Sequence, residues 1–279
     1  MNLKNLLTRT IAGIVYIALV LLGILGKGFF FISIFTILLG LALYEFYRLT
    51  EKNNPSTKSR VFNTIAGVTF FLLPLLPQIK MGLTILSIAL LLYLILIFSN
   101  AVFSKKENTL RNAINSVFGQ IYITLPFLLL QFISQLDGSL NNSEYALLAI
   151  FVFIWVNDTA AYVVGSLFGK NKLIEHISPK KTIEGFIGGV CFTIIAGLVF
   201  AKLTPGDNYM FWSIFAFITA IFGTIGDLFE SLIKRTYNLK DSGNIIPGHG
   251  GILDRIDSLL IATPAIFIFM IIWSIVVAQ

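Results

Sequence analysis

Charge is what this sequence has least of. Only 12% of its 279 residues are Asp, Glu, Lys or Arg, where a soluble domain averages about 25%. No polar stretch is long enough to fold as a separate soluble unit. With 56% hydrophobic residues and a mean hydropathy of +0.86, the chain reads as one integral membrane domain. Cysteine is equally scarce. The one residue, Cys191, lies in an apolar run, so an intramolecular disulfide is excluded and the redox compartment cannot be read from it. No Cys/His constellation of the zinc-binding kind is present, and no G-x-x-x-x-G-K-[ST] run exists to form a P-loop. Internal repeats and low-complexity tracts are absent as well. The net charge of +6 sits beside apolar runs, which suits membrane orientation and anionic headgroups rather than nucleic acid.

The apolar runs dominate what is there. A helix needs about 20 mostly apolar residues to cross a bilayer. On that rule nine spans are expected, near 10–26, 28–47, 61–79, 81–103, 114–134, 144–168, 184–203, 209–230 and 257–277. The third carries Pro74 and Pro77 and is expected to be kinked or partly re-entrant. The first follows Lys4 and Arg9 like a signal peptide, but lacks a small-x-small cleavage site leading into a soluble chain, so it reads as a retained helix. Of the basic residues, Lys27, Lys80 and Lys202 fall on one side of this arrangement. The other seventeen fall in the N-terminal tail and in the connections after spans two, four, six and eight. Such a bias puts the N-terminus in the cytoplasm, the C-terminus outside and the polar connections on the cytoplasmic face. Residues 1–143 form an N-terminal helical part and 144–279 the part that carries the polar motifs. The connection from Glu51 to Arg60 reads as a solvated connector.

The most polar run in the chain lies between two apolar spans, from Ser231 to Ser258. It holds Lys234, Arg235, Lys240, Asp241, Asp254, Arg255 and Asp257, with His249 in a Gly248–Gly251 turn. A loop beside a bilayer has no structural need for so many mixed charges. Glycines before a helix let backbone amides approach an anion closely, which makes Gly250 and Gly251 candidates for phosphate contact. His249 is a candidate to orient a phosphate, although a lone His is more often a structural hydrogen-bonder. Just upstream, Asp227, Glu230 and Ser231 are three and four residues apart and share one helix face. Glu230 with Lys234 reads as a salt-bridged helix end, whereas Asp227 has no basic residue four positions away.

Two further segments contribute. Asp158, within the run from Trp155 to Tyr162, is an ionisable group late in a span and is expected to face a partner or a polar cavity, or else to snorkel. Glycines from Gly165 to Gly169 after it allow close helix approach. Ser178-Pro179 is expected to start the seventh span with Ser178 as cap and Pro179 at the first helical position. Lys180, Lys181 and Thr182 then meet free amides at a helix end that favours anions. Carboxylates gathered with basic residues in one layer suit Mg²⁺, which shares substrate phosphates and keeps waters, while Lys and Arg suit phosphate oxygens.

The run S-L-I-K-R-x-x-x-x-K-D-S-G-x-x-I-P-G-H-G-G-I-L-D-R-I-D, from Ser231 to Asp257, resembles the signature of the phosphatidate cytidylyltransferases (CDP-diacylglycerol synthases). N-D-T-A-A-Y, S-P-K-K-T-I-E-G and G-D-L-F-E-S resemble further motifs of that family, in the expected order. The resemblance is concentrated between about Trp155 and Ser258. It implies the Mg²⁺-dependent reaction of CTP with phosphatidate to give CDP-diacylglycerol and pyrophosphate. On that basis Asp227 and Asp254 are expected to hold the metal, with Asp158 or Asp257 as support for a second cation. Lys180, Lys181, Lys234, Arg235, Lys240 and Arg255 are expected to divide between the triphosphate and the lipid phosphate, beside Thr182, Ser231 and Asp241. The expected partners are CTP, phosphatidate and membrane lipid, with a homodimer as the base-rate expectation. The expected location is the bacterial inner membrane, with the site facing the cytoplasm. Two alternatives remain at this level. One is a cation-coupled transporter using Asp158 and Asp227. The other is a CDP-alcohol phosphotransferase, which is expected to carry a D-G-x-x-A-R run that this chain lacks.

Overall fold

The computed structural model describes residues 3–51, 56–76, 79–105, 107–135, 143–206, 208–243 and 250–277. Helices account for nearly all of it: α1 (Leu3–Gly26), α2 (Gly28–Thr50), α3 (Thr57–Leu72), α4 (Ile79–Phe103), α5 (Thr109–Gly119), α6 (Leu125–Gln135), α7 (Ser143–Phe168), α8 (Ile183–Leu203), α9 (Tyr209–Thr236) and α10 (Leu253–Val277). The only sheet among the described residues is the antiparallel hairpin of β1 (Lys172–Ile174) and β2 (Ser178–Thr182).

Among the described residues, seven helical stretches are long and apolar enough to span a bilayer: Gly28–Thr50, Lys80–Phe103, Thr109–Ser134, Tyr145–Phe168, Ile183–Leu203, Tyr209–Thr236 and Leu253–Val276. The chain is an all-α polytopic membrane protein. The remaining two of the nine expected spans also coincide with helices: Thr10–Gly26 is the apolar part of the 24-residue α1, and α3 is shorter, stopping at Leu72, where Pro74 sits in a 3-10 turn over Leu73–Leu75.

Two expectations about the polar segments are corrected. Ser178 and Pro179 do not open a helix: they belong to β2, and α8 starts four residues later with Thr182 as its cap, the Thr182 Oγ1 accepting from Gly185 N–H at 3.1 Å. The stretch from Ser231 to Ser258 is not one loop either. Its first six residues complete α9 and its last six open α10. The helix runs on past 230 because Glu230 and Lys234 pair one turn apart. It stops in a Schellman motif: Asn238 takes a positive φ of 53°, its N–H donates to Arg235 O at 3.0 Å, and Leu239 N–H donates to Lys234 O at 2.8 Å.

The chain divides into two compact units, Met1–Leu128 with Asp241–Asp254, and Leu129–Lys240 with Arg255–Gln279. Inside the first, α2, α3, α4 and α5 meet around neutral polar side chains. Asn63 Nδ2 donates to Ser116 Oγ at 2.9 Å, Tyr93 Oη donates to Asn63 Oδ1 at 2.9 Å, and Gln120 Nε2 donates to Asn63 O at 2.8 Å and Tyr47 Oη at 3.1 Å. The backbone contributes an acceptor through a local defect. A π-helical turn over Gln120–Thr124 follows α5, and Gln120 N–H turns to Val117 O. Ser116 O, its ordinary helical partner, instead accepts from Tyr47 at 2.9 Å and Tyr93 at 3.1 Å.

In the second unit, α8 presents Gly185, Gly189, Thr193, Gly197 and Ala201 as a buried stripe of small residues spaced by four. Added bulk has nowhere to go: a Cβ on Gly185 would lie 2.7 Å from Ala161 O of α7, and one on Gly197 2.7 Å from Trp212 O of α9. Close backbone approach of this kind substitutes for the hydrophobic drive that lipid removes. Phe153, Phe200, Trp212 and Phe215 lock the same helices through edge-to-face and tilted ring contacts, with centroids 4.7–6.4 Å apart. Fifteen residues of helix, about 22 Å, separate Trp212 from Asp227 at the charged end of α9.

Candidate active site

The charged end of the second unit is assembled from α7, β2, α9 and α10. Gly226 sets the crossing of α9 with α10, since a Cβ there would stand 2.6 Å from Asp257 O and 3.1 Å from Ser258 Cα. The next residue, Asp227, forms an ion pair with Lys181 of β2, both side chains being partly buried. Asp158 interacts electrostatically with Asp227, Lys181 and Arg255, and Asp257 with Asp227, Glu230 and Asp158. Three aspartates from three membrane helices therefore share one electrostatic neighbourhood with Lys181. Neutral polar atoms lie beside them. Asn157 Nδ2 donates to Thr224 Oγ1 at 3.3 Å, while the buried Asn157 Oδ1 and Ser258 Oγ have no hydrogen-bond partner among the described residues.

The hairpin delivers Lys181. Along β2 Lys180 is exposed, Lys181 partly buried and Thr182 buried. Glu184, in the first turn of α8, accepts from the backbone N–H groups of Lys170 and Asn171 at 3.1–3.2 Å and from Asn171 Nδ2 at 2.7 Å, which pins the chain entering the hairpin. Arg235 holds its turn, Nε donating to Ile177 O at 3.4 Å, while its guanidinium also donates to Leu239 O. Lys234 pairs with the buried Glu230, and Ser231 is half-buried on the same helix. Lys240 and Arg255 are exposed.

In the first unit, residues 241–243 and 250–252 meet the start of α10. Asp254 Oδ2 accepts from Gly251 N–H at 2.8 Å and from Ser242 N–H at 3.1 Å, so one of the glycine amides expected to meet phosphate is committed to Asp254. Gly250 has a φ of +86°, and a Cβ there would lie 2.6 Å from Asp254 Oδ2. Asp241 is exposed. His249 lies outside the described residues. A residue that the sequence reading passed over, Glu45 of α2, is almost fully buried here at 1% exposure. Its Oε2 accepts from Leu253 N–H at 2.9 Å and from Ser242 Oγ–H at 3.3 Å. A lone acidic residue within a membrane span was the available signal.

Chemically, the second-unit cluster offers hard carboxylate oxygens in excess of its one ion-paired lysine, together with unpartnered neutral oxygens. That donor set fits Mg²⁺, which takes few protein ligands and fills its octahedron with waters and phosphate oxygens. Among the described residues no three His, Cys, Asp or Glu side chains stand close enough together to hold one metal ion.

A family model described as the cytidylyltransferase family matches residues 7–273. A Bacillus subtilis (strain 168) protein named phosphatidate cytidylyltransferase is 34% identical over 283 residues, covering 97% of this chain and 98% of that protein. Proteins of the same name from Staphylococcus haemolyticus and Staphylococcus saprophyticus are each 38% identical, over 177 and 178 residues, covering 63% of this chain and 66% of theirs.

Proposed function

The chain belongs to the cytidylyltransferase family and makes CDP-diacylglycerol and pyrophosphate from CTP and phosphatidate; we propose that the transfer runs on Asp227, Lys181 and the carboxylates around them, with Asp254 as a second metal-holding group. An oxygen of the lipid phosphate attacks the α-phosphorus of CTP, one P–O bond forms, and the bond from the α-phosphorus to the bridging oxygen of the leaving pyrophosphate breaks. The nucleophile is already anionic near neutral pH, so no strong base is required. The protein's work is to position the two phosphates in line and to balance charge.

The Lys181–Asp227 ion pair is the observation that carries this reading. A lysine beside carboxylates is the arrangement in which one group meets a phosphate oxygen and the other a cation. When bound, Mg²⁺ would supply charge neutralisation at the phosphates, held by Asp227 and Asp254 with Asp158 or Asp257 in support. Lys181 exchanges part of its pairing with Asp227 for a phosphate oxygen as substrate enters. Lys180, Lys240 and Arg255 are exposed cations that attract the triphosphate. Lys234 and Arg235 act mainly by holding Glu230 and the hairpin turn. The one-sided distribution of basic residues supports a site on the cytoplasmic face of the inner membrane.

The transporter reading of Asp158 and Asp227 has no support among the relatives. Purified protein given labelled CTP, phosphatidate and Mg²⁺ is expected to move label into the lipid phase with stoichiometric pyrophosphate. Replacing Mg²⁺ with a chelator is expected to abolish both, and an undiminished rate in chelator overturns the metal assignment.

A further inference from the structure

Within α2, the 23 residues from Gly28 to Thr50 carry a single carboxylate. Burying an ionisable group in a membrane helix costs several kcal/mol unless partners are found. Glu45 is buried to 1% exposure, and the partners it finds all belong to one short segment. Leu253 N–H, at the first position of α10, donates to its Oε2 at 2.9 Å, and Ser242 Oγ–H donates to the same oxygen at 3.3 Å. The fit leaves no slack on the other side: a Cβ on either Gly243 or Gly251 would overlap the Glu45 carboxylate. Two glycines in the polar motif are thus required by this side chain, over and above any contact with a ligand.

Asp254 is tied to the same frame. Ser242 donates its hydroxyl to Glu45 and its backbone N–H to Asp254 Oδ2 at 3.1 Å, and Gly251 N–H completes the set at 2.8 Å. Glu45 fixes Leu253, which precedes Asp254 in the chain, and Ser242, whose backbone N–H donates to the Asp254 carboxylate. We propose that Glu45 is a positioning residue for cytidylyl transfer: from the membrane helix α2 it holds the start of α10 and the Asp241–Ser242 turn, and so sets the aim of the Asp254 carboxylate. This inference rests on the reading of Asp254 as part of the reactive site. When ionised, the carboxylate also meets the positive end of the α10 dipole.

The test uses the full-length protein in detergent or nanodiscs, with Glu45→Ala, Glu45→Gln and Asp254→Asn compared with wild type. Three quantities are measured on the folded fraction: kcat, KM for phosphatidate, and hydrogen exchange of the backbone amides over 250–254. Residues that orient a metal-holding group typically affect activity by about 10–100-fold. Glu45→Ala is expected to lose kcat in that range with KM for phosphatidate kept, and to exchange faster over 250–254. Glu45→Gln retains an acceptor without the charge and is expected to fall between. Accelerated exchange with wild-type kcat overturns the proposal, because Glu45 is then only a structural tie. Wild-type kcat in the Glu45 variants beside an inactive Asp254→Asn overturns it alone. Wild-type kcat in Asp254→Asn overturns it together with the reading of Asp254. Should Glu45→Ala fail to fold, the isosteric Glu45→Gln decides by the same readouts.

Discussion

Each unit holds a buried polar cluster among its membrane helices, and the two clusters differ in chemistry. In the first, Tyr47, Asn63, Tyr93, Ser116 and Gln120 are all neutral, and each side-chain polar atom of Asn63 and Gln120 has a partner at 2.7–3.1 Å. In the second, Asp158, Asp227 and Asp257 gather around one ion-paired lysine, and Asn157 Oδ1 and Ser258 Oγ remain without a hydrogen-bond partner among the described residues. A closed neutral network resists lipid and has no valence left for a substrate. An ionic cluster with more acceptors than donors is costly until a cation and phosphates complete it. Satisfied burial marks the first cluster as scaffold, and unsatisfied burial marks the second as site.

The comparison breaks first at Asp227. Asp227→Asn is expected to lower CDP-lipid formation by about 10²–10³-fold, the range for loss of a preorganised charge, with the folded yield retained. A wild-type rate in the labelled-CTP assay removes Asp227 from the site. Lys181→Met is expected to fall in the same range and to raise the KM for CTP.

Asn63→Ala probes the opposite side of the comparison. It strips Ser116 Oγ and Tyr93 Oη of a partner, so stability should drop by about 1–3 kcal/mol while kcat of the folded fraction stays at the wild-type value. A large kcat loss at unchanged melting temperature would show that the neutral network is part of the site after all. Thr182→Ala should sit between the two kinds of effect. It removes the cap of α8 at a cost of about 1 kcal/mol and loosens the hairpin that carries Lys181, so a small loss of stability and a small loss of activity are expected together in thermal unfolding and turnover assays.

The smallest effect is a pH dependence outside the spans. Burial lifts the Glu51 carboxyl above its ordinary value of 4.5, against the pull of its hydrogen bonds and of Arg60, whose Nε stands 3.7 Å away. In the window above 4.5 the unfolded chain releases this proton before the folded one does. Its contribution to stability is therefore complete below 4.5 and is lost as pH rises through the folded-state value. Glu51→Gln should flatten that decline in a melting-temperature profile and leave turnover unchanged.

Much of this architecture was legible before folding. Long apolar runs located the membrane helices, and spaced charges at 158, 178–185, 227–231 and 231–258 marked the segments that matter. The spacing did not reveal who pairs with whom. Asp227 has no basic neighbour along α9, and its partner Lys181 arrives from a hairpin 46 residues upstream. That hairpin was itself hidden, because Ser178-Pro179 is as good a helix opening as a strand start, and the Glu184 hydrogen bonds that decide for the strand are tertiary. Glu45 escaped notice because a single glutamate near a span end looks like an interfacial residue, and nothing local announces that it meets Leu253 some 200 positions away.

Composition and periodicity by themselves determined a polytopic helical membrane protein, because apolar length and the need to satisfy every backbone hydrogen bond leave few alternatives in lipid. The motifs determined the kind of chemistry, since carboxylates and lysines in those runs suit cations and phosphates. Only the tertiary structure decided which charges are spent on holding the fold, as Lys234, Arg235 and Glu184 are, and which stand together as Asp158, Asp227, Asp257 and Lys181 do. The reason is physical. A charge acquires its role from the partners and burial it meets, and those are properties of helix packing that no spacing along the chain records.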